Sequence, residues 1–210
     1  MNAIKPYTQI YGDINGQEIL KKIERCGRVC YKSEGKIEEG SAERFVAGLI
    51  KRGHEAMLEH ASITVKFVVD RGVSHELVRH RLVSFAQEST RYCDYANDDF
   101  GSEITFIIPE YLDYKSDAWN IWKEAMKSCE DAYFKMLDFG LTPQEARAVL
   151  PNSLKTEVVM TANIREWRHF FKLRAANSTG AAHPQMLEVT RPLLDELKEL
   201  VPVVFDDITY

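Results

Sequence analysis

Ile63-Thr64-Val65-Lys66-Phe67-Val68-Val69-Asp70 is where the chain changes period. Ile63, Val65, Phe67 and Val69 alternate with Thr64, Lys66 and Asp70, the two-residue repeat of a strand. The flanking residues repeat at helical spacing instead, so this stretch decides the class: α+β, with long helices and few strands. Upstream, Ile19, Leu20, Ile23, Cys26, Gly27 and Cys30 predict a helix over 16–31. Ser41 predicts the cap of a second helix that stops before Gly53. Downstream, Ser74 predicts the cap of a short helix leading into Arg79. Ser116 predicts the cap of a long helix. Its stripe of Ala118, Ile121, Trp122, Ala125, Met126, Cys129, Ala132, Tyr133, Met136 and Leu137 ends at Gly140. Thr142-Pro143-Gln144-Glu145 has a capping residue, a proline at the first helical position and an acid three residues after the cap. Residues 156–161 read as another strand. Asn163-Ile164-Arg165-Glu166 repeats the capping pattern and opens a further helix. His183-Pro184 opens the last one, which Pro192 should bend or break. No repeat, low-complexity stretch or linker interrupts residues 1–210, which predicts a single domain.

Composition narrows the function. The chain has 210 residues, of which 45% are apolar and 28% charged, the balance of an ordinary globular protein. At this length a chain buries about 70% of the surface its unfolded form exposes, so disulfides are not required. Cys26, Cys30, Cys93 and Cys129 form no CxxC pair, which argues against a zinc site; Cys26 and Cys30 read as small core residues. The stretch Met1-Asn2-Ala3-Ile4-Lys5-Pro6 does not resemble a signal peptide, and no apolar run approaches the ~20 residues of a membrane span. The expected location is the cytoplasm, away from membranes. A net charge of −5 argues against a nucleic-acid partner, so any anion must be met by positive charge gathered locally.

That charge is gathered in two places. Six arginines fall into two groups: Arg79, Arg81 and Arg91, then Arg165, Arg168 and Arg174, with Arg147 on a helix between them. Arg79 and Arg81 are two apart, a spacing that an extended or turning backbone points to one side. Each guanidinium is a planar fork that matches phosphate oxygens. Ser84, Ser89 and Thr90 add hydroxyls and leave room for an anion to reach backbone N–H groups. His80, between two arginines, is expected to stay neutral because neighbouring positive charge lowers a histidine pKa. In the second group Arg165 and His169 share a helix face, and Asn163 caps that helix. Asn, Arg and His on one face suit a planar ligand with carbonyls and ring nitrogens. Trp167, Phe170 and Phe171 read as core. Each cluster, taken alone, is also what a solvated basic face would show. His54, Glu55, Glu59 and His60 do not have the HExxH spacing, so no metal site is expected. P-loop, GxSxG and GxGxxG patterns are absent from the sequence.

The segment Arg79-His80-Arg81-Leu82-Val83-Ser84-Phe85-Ala86-Gln87-Glu88-Ser89-Thr90-Arg91 matches RHRxxSxxxxSxR, and here the chain resembles the flavin-dependent thymidylate synthases. The resemblance extends to Gly53-His54-Glu55 with Glu59-His60, to Ala146-Arg147 with Leu150-Pro151, to residues 163–174 and to Ala182-His183-Pro184. It implies an antiparallel sheet flanked by long helices. It also implies a homotetramer with shared active sites that hold FAD, dUMP and 5,10-methylenetetrahydrofolate, with NADPH as the reductant.

By the same resemblance, the residues expected at the cofactor are His54, Arg79, His80, Arg81, Gln87, Asn163, Arg165 and His169. Those expected at dUMP are Glu76, Arg79, Gln87, Glu88, Ser89, Thr90, Arg91, Arg147 and Arg174. Arg174 and Ser89 are the catalytic candidates. Some positions depart from the family's commonest pattern: Glu76 stands where many members have Gln, and Ala56-Met57 replaces a small hydroxyl residue and proline. Gln87-Glu88 stands where others have Asn-Glu or Glu-Gln. No cysteine is evident to add to C6 of uracil. The expected chemistry therefore polarises the ring electrostatically, with Arg174 facing N3 and O4 and Ser89 orienting the nucleotide. Two other classes compete, a non-enzymatic nucleic-acid binder and a different flavoenzyme or nucleotide hydrolase.

Overall fold

In the computed structural model, which describes residues 1–93, 95 and 103–210, the alternating stretch is strand β3, Ser62–Asp70. Strands β1 (Asn2–Ile4) and β2 (Tyr7–Tyr11) precede it, together with helices α1 (Gly16–Val29) and α2 (Ser41–Lys51). After it come α3 (Arg71–Leu77), β4 (Val83–Gln87), β5 (Thr105–Ile107), α4 (Asp117–Asp138), α5 (Pro143–Ala146), β6 (Lys155–Asn163), α6 (Ile164–Arg174) and α7 (Pro184–Leu200). Among the described residues, four strands hydrogen-bond in the order β2-β3-β6-β4, and β1 pairs with β5 in parallel. β3 and β6 are antiparallel. The Ile164 N–H donates to Ala61 O beside the start of β3, while the Arg71 N–H donates to Leu154 O beyond its end. The mixed class with an antiparallel sheet and long helices is the one expected.

The chain forms two compact units that interleave along the sequence. One comprises 1–7, 67–79 and 85–159, and the other 8–66, 80–84 and 160–210. The first has its core around Tyr95, Ile104, Phe106, Met126, Tyr133, Ala146 and Leu154. The second is built on Trp167, Phe170 and Phe171, all fully buried, as their reading as core requires. Trp167 stacks on Phe171 at 5.6 Å and meets Phe170 edge-on at 5.5 Å, and its Nε1–H donates to Ile63 O at 3.1 Å.

Several local expectations are corrected. Ser74 does not cap α3. The helix begins at the residue after the strand, so the buried Asp70 carboxylate accepts from the Val73 N–H at 2.8 Å, and the Ser74 hydroxyl turns back onto Arg71 O. Ser41 does not cap α2; Gly40, with φ of 69°, holds that place. The Ser41 hydroxyl donates at 2.8 Å to Glu24, a buried acid that also binds Arg28. Cys30 is exposed and lies just past the end of α1, while Cys26 is half-buried, so neither belongs to the core. The stripe on α4 is not buried as one face: Met126 and Tyr133 are enclosed, whereas Ala118, Ile121 and Ala125 are exposed. Pro192 does not break the last helix. α7 runs through it to Leu200, held by the buried Val189, Leu193, Leu194 and Leu197.

Gly16, the first residue of α1, lies directly against the end of α7. A Cβ there would lie 2.0 Å from the carbonyl oxygen of Leu200 at the end of α7. Backbone cannot rotate aside as a side-chain tip can. Gly16→Ala is therefore expected to lower stability by about 1–3 kcal/mol, the usual range for overpacking, as read in a urea melt; an unchanged midpoint would contradict the approach.

Candidate active site

The second unit places five of the eight expected cofactor residues, His80, Arg81, Asn163, Arg165 and His169, at α6 and in the turn before β4. Asn163 ends β6 and caps α6: its Oδ1 accepts from the Glu166 N–H at 2.9 Å, which leaves its amide hydrogens for other acceptors. One turn on, Arg165 and His169 lie exposed on the same face. With Asn163, Glu55, Glu59, Leu82, Glu166 and Lys172 they line a cavity of about 400 Å³. Arg165 spans part of it in a 2.6 Å ion pair with Glu59.

His80 sits beside these residues, 7% exposed. Its Nδ1 lies 3.3 Å from Glu166 Oε1, and the Arg174 Nε–H donates to its Nε2 at 3.4 Å. Phe170 meets the ring edge-on at 5.0 Å. Burial holds the His80 pKa below the ordinary histidine value; Glu166 opposes this and Arg174 reinforces it. The neutral state is the one expected from sequence, but burial and Arg174 account for it rather than the flanking arginines. His80, Glu166 and His169 bring three potential metal-ligating atoms within 4.8 Å of one another. The guanidinium of Arg174 already lies against His80 Nε2, so a cation placed there would meet both a committed ring nitrogen and like charge.

His54 is elsewhere in the same unit. It is exposed and lines a different cavity, of about 730 Å³, with Cys30, Tyr31, Arg52, Ala56 and Met57. Arg81 is exposed in the turn before β4.

The first unit holds the other half of the motif. Gln87, at the end of β4, donates to the hydroxyls of Ser74 and Thr156 at 3.1 and 3.3 Å. Glu88 accepts from Tyr95 OH, Lys155 Nζ and the Glu157 N–H at 2.9–3.1 Å. Three donors within its own unit occupy that carboxylate. The Ser89 Oγ accepts from the Arg91 N–H at 3.3 Å, and the exposed Arg91 guanidinium lies 5.3 Å from the centre of the Tyr92 ring. Arg147, exposed in a 3₁₀ turn, donates to the buried Thr90 hydroxyl at 3.1 Å. Thr90 and Arg147 line a recess of about 260 Å³ with Arg71 and His75. Glu76 is half-buried on α3, and the Arg79 N–H donates to its carbonyl, with the Arg79 side chain exposed.

The sequence profile of the family described as "Thymidylate synthase complementing protein" matches residues 15–203. The chain belongs to this family.

Members similar to it include the flavin-dependent thymidylate synthase of Geobacter sulfurreducens, 33% identical over 88% of this chain and 80% of that one. The enzyme of the same name from Pyrococcus furiosus is 34% identical over 83% and 70% of the two chains. That from Pyrococcus horikoshii is 37% identical over 80% and 69%. Among solved structures, the UMP/dUMP methylase PolB from Streptomyces cacaoi bound with 5-Br dUMP superimposes with a TM-score of 0.79, at 22% identity, over 98% of this chain and 96% of that one. That likeness concerns the fold.

Family membership does not assign the side chains. The structure brings His80, Asn163, Arg165, His169 and Arg174 into one neighbourhood of the second unit, and Gln87, Glu88, Ser89, Thr90 and Arg147 into the first. Sequence inspection missed Glu166 as a partner of His80, because its place in a capping pattern explained it locally. It also missed Arg71 and His75, four apart on α3, whose spacing was the one available signal.

Proposed function

We propose that this member of the family catalyses the reductive methylation of dUMP to dTMP, with bound FAD, 5,10-methylenetetrahydrofolate as carbon donor and NADPH as reductant. The observation that carries this reading is the group formed by Arg174, His80 and Glu166 beside the cavity lined by Asn163, Arg165 and His169. The donor set fits a flavin. An Asn amide, a guanidinium and an imidazole can meet ring carbonyls, ring nitrogens and phosphate oxygens, and the His80 ring gives the neighbourhood an aromatic surface. When bound, the flavin supplies the hydride.

The chain's residues do the rest. Arg174 places a fixed positive charge at the N3–O4 edge of uracil, where negative charge develops as C5 becomes nucleophilic. Ser89 orients the nucleotide. Thr90, Arg91 and Arg147 serve its phosphate, Arg147 from a neighbouring subunit, and Arg79, Glu76, Gln87 and Glu88 complete the nucleotide loop. His54, Arg79, His80, Arg81 and Gln87 join Asn163, Arg165 and His169 at the cofactor. The working form is a homotetramer with shared active sites, in the cytoplasm. Among the described residues, no helix is long and apolar enough to cross a membrane.

An absorbance titration tests the reading. The purified protein should be yellow, and dUMP should shift its flavin bands while uridine without a phosphate does so far less. A colourless protein that takes up no FAD, or a flavin spectrum indifferent to dUMP, would overturn it.

A further inference from the structure

The contacts of the buried His80 ring specify where its proton lies. Guanidinium is a donor at any attainable pH, so the Arg174 Nε–H directed at Nε2 requires a lone pair on that nitrogen. On the other side a Glu166 carboxylate oxygen accepts, so Nδ1 carries the hydrogen. Both contacts select the same neutral tautomer. The ring is confined as well, with Phe170 edge-on at 5.0 Å and His169 at 6.0 Å. Arg174 is held from behind, since the Thr190 hydroxyl donates to its carbonyl at 2.6 Å. Its backbone is fixed by α7, and its head is aimed by His80. Glu166, 7% exposed in the first turn of α6, is aligned through its own backbone by Asn163.

We propose that Glu166 is a positioning residue for the reaction: it fixes the Nδ1–H form of His80, and the unprotonated Nε2 then aims the Arg174 guanidinium at the ligand. This rests on Arg174 being the group that meets uracil. Without Glu166 the imidazole gains the Nε2–H form, which turns a hydrogen toward Arg174 instead of a lone pair and ends the contact that aims the guanidinium. The partner that orients a metal-ligating histidine matters by about 10–100-fold, and for a histidine that orients a guanidinium the loss is expected at the lower end of that range. A carboxylate that only favours the helix N-terminus would have no effect on the tautomer of His80.

The test is a ¹⁵N–¹H correlation spectrum of the histidine rings in the flavin-loaded protein, with His80 assigned from the signals missing in His80→Asn. The wild type should show His80 protonated on Nδ1. Glu166→Gln, whose side-chain oxygen still accepts, should keep that form. Glu166→Ala removes one of the two contacts that select Nδ1–H, so part of the ring should move to Nε2–H and kcat should fall severalfold to about tenfold, with KM for dUMP changed much less. Protonation on Nε2 in the wild type overturns the proposal even if Glu166→Ala fails to fold. So does a Glu166→Ala ring that stays Nδ1–H, or a Glu166→Gln enzyme as impaired as Glu166→Ala. Failure of the proposed function is distinguishable, because absent flavin or dUMP binding would leave the tautomer in the wild-type protein readable.

Discussion

Arg174→Ala is expected to lower dTMP formation roughly 10²–10³-fold, the loss seen when one preorganised donor to a developing oxyanion is removed. The residue ends α6 and is half-buried, its carbonyl is tied to Thr190 and its Nε–H is directed at a neutral imidazole. Such a guanidinium is oriented before substrate arrives, so little reorganisation is left for the transition state. Because the charge on N3 and O4 grows during the reaction, the loss should fall on kcat more than on KM for dUMP. Arg174→Lys keeps the charge but loses the fork and its contact with His80, and should recover only part of the activity. Single-turnover dTMP formation in reduced, flavin-loaded protein measures this directly. Turnover of Arg174→Ala within a few fold of wild type would remove Arg174 from the chemistry.

What was legible in the sequence depended on how local the cause was. β3 and β6 follow from alternation, and the start of α6 follows from Asn163 three residues before Glu166, because each is decided within a few positions. The start of α3 was misplaced because Asp70 and Ser74 are both capping residues. Only the strand's end decides between them, and strands end where their pairing ends. The exposed end of α4 was unreadable for a related reason: periodicity gives a face, while what covers that face is tertiary. The motif 79–91 named its own chemistry. The partners of its central histidine lie 86 and 94 residues further along. No spacing rule reaches that far, so Glu166 looked like a capping acid and no more.

Arg168 shows the same limit with larger energetic consequences. Its spacing groups it with Arg165 and Arg174 as part of a basic cluster, yet it is 1% exposed and is not among the residues that line the cavity. Its guanidinium binds both Asp207 oxygens at 2.7 and 2.8 Å and Glu55 at 3.3 Å, and it also donates to Val204 O. The bidentate pair anchors α6, which carries the candidate site, to the C-terminal segment. Asp207→Ala alone should cost about 1.5–3 kcal/mol, the range for hydrogen bonds to a charged group. Removing Glu55 as well leaves a buried cation with only a carbonyl, and the double variant should lose about 3–5 kcal/mol. For a chain of this size that is roughly 6–20 °C in Tm. The pH dependence has a defined sign. Hydrogen bonding to Arg168 holds the Asp207 pKa below the usual carboxylate value. The pair's contribution is therefore complete above about pH 4 and is lost as pH falls through the lowered value, where the unfolded chain takes up the proton first. Thermal melts at pH 7 and pH 3 should show the wild type and Asp207→Ala converging at the lower pH; equal melting temperatures at pH 7 would mean that Arg168 does not depend on Asp207.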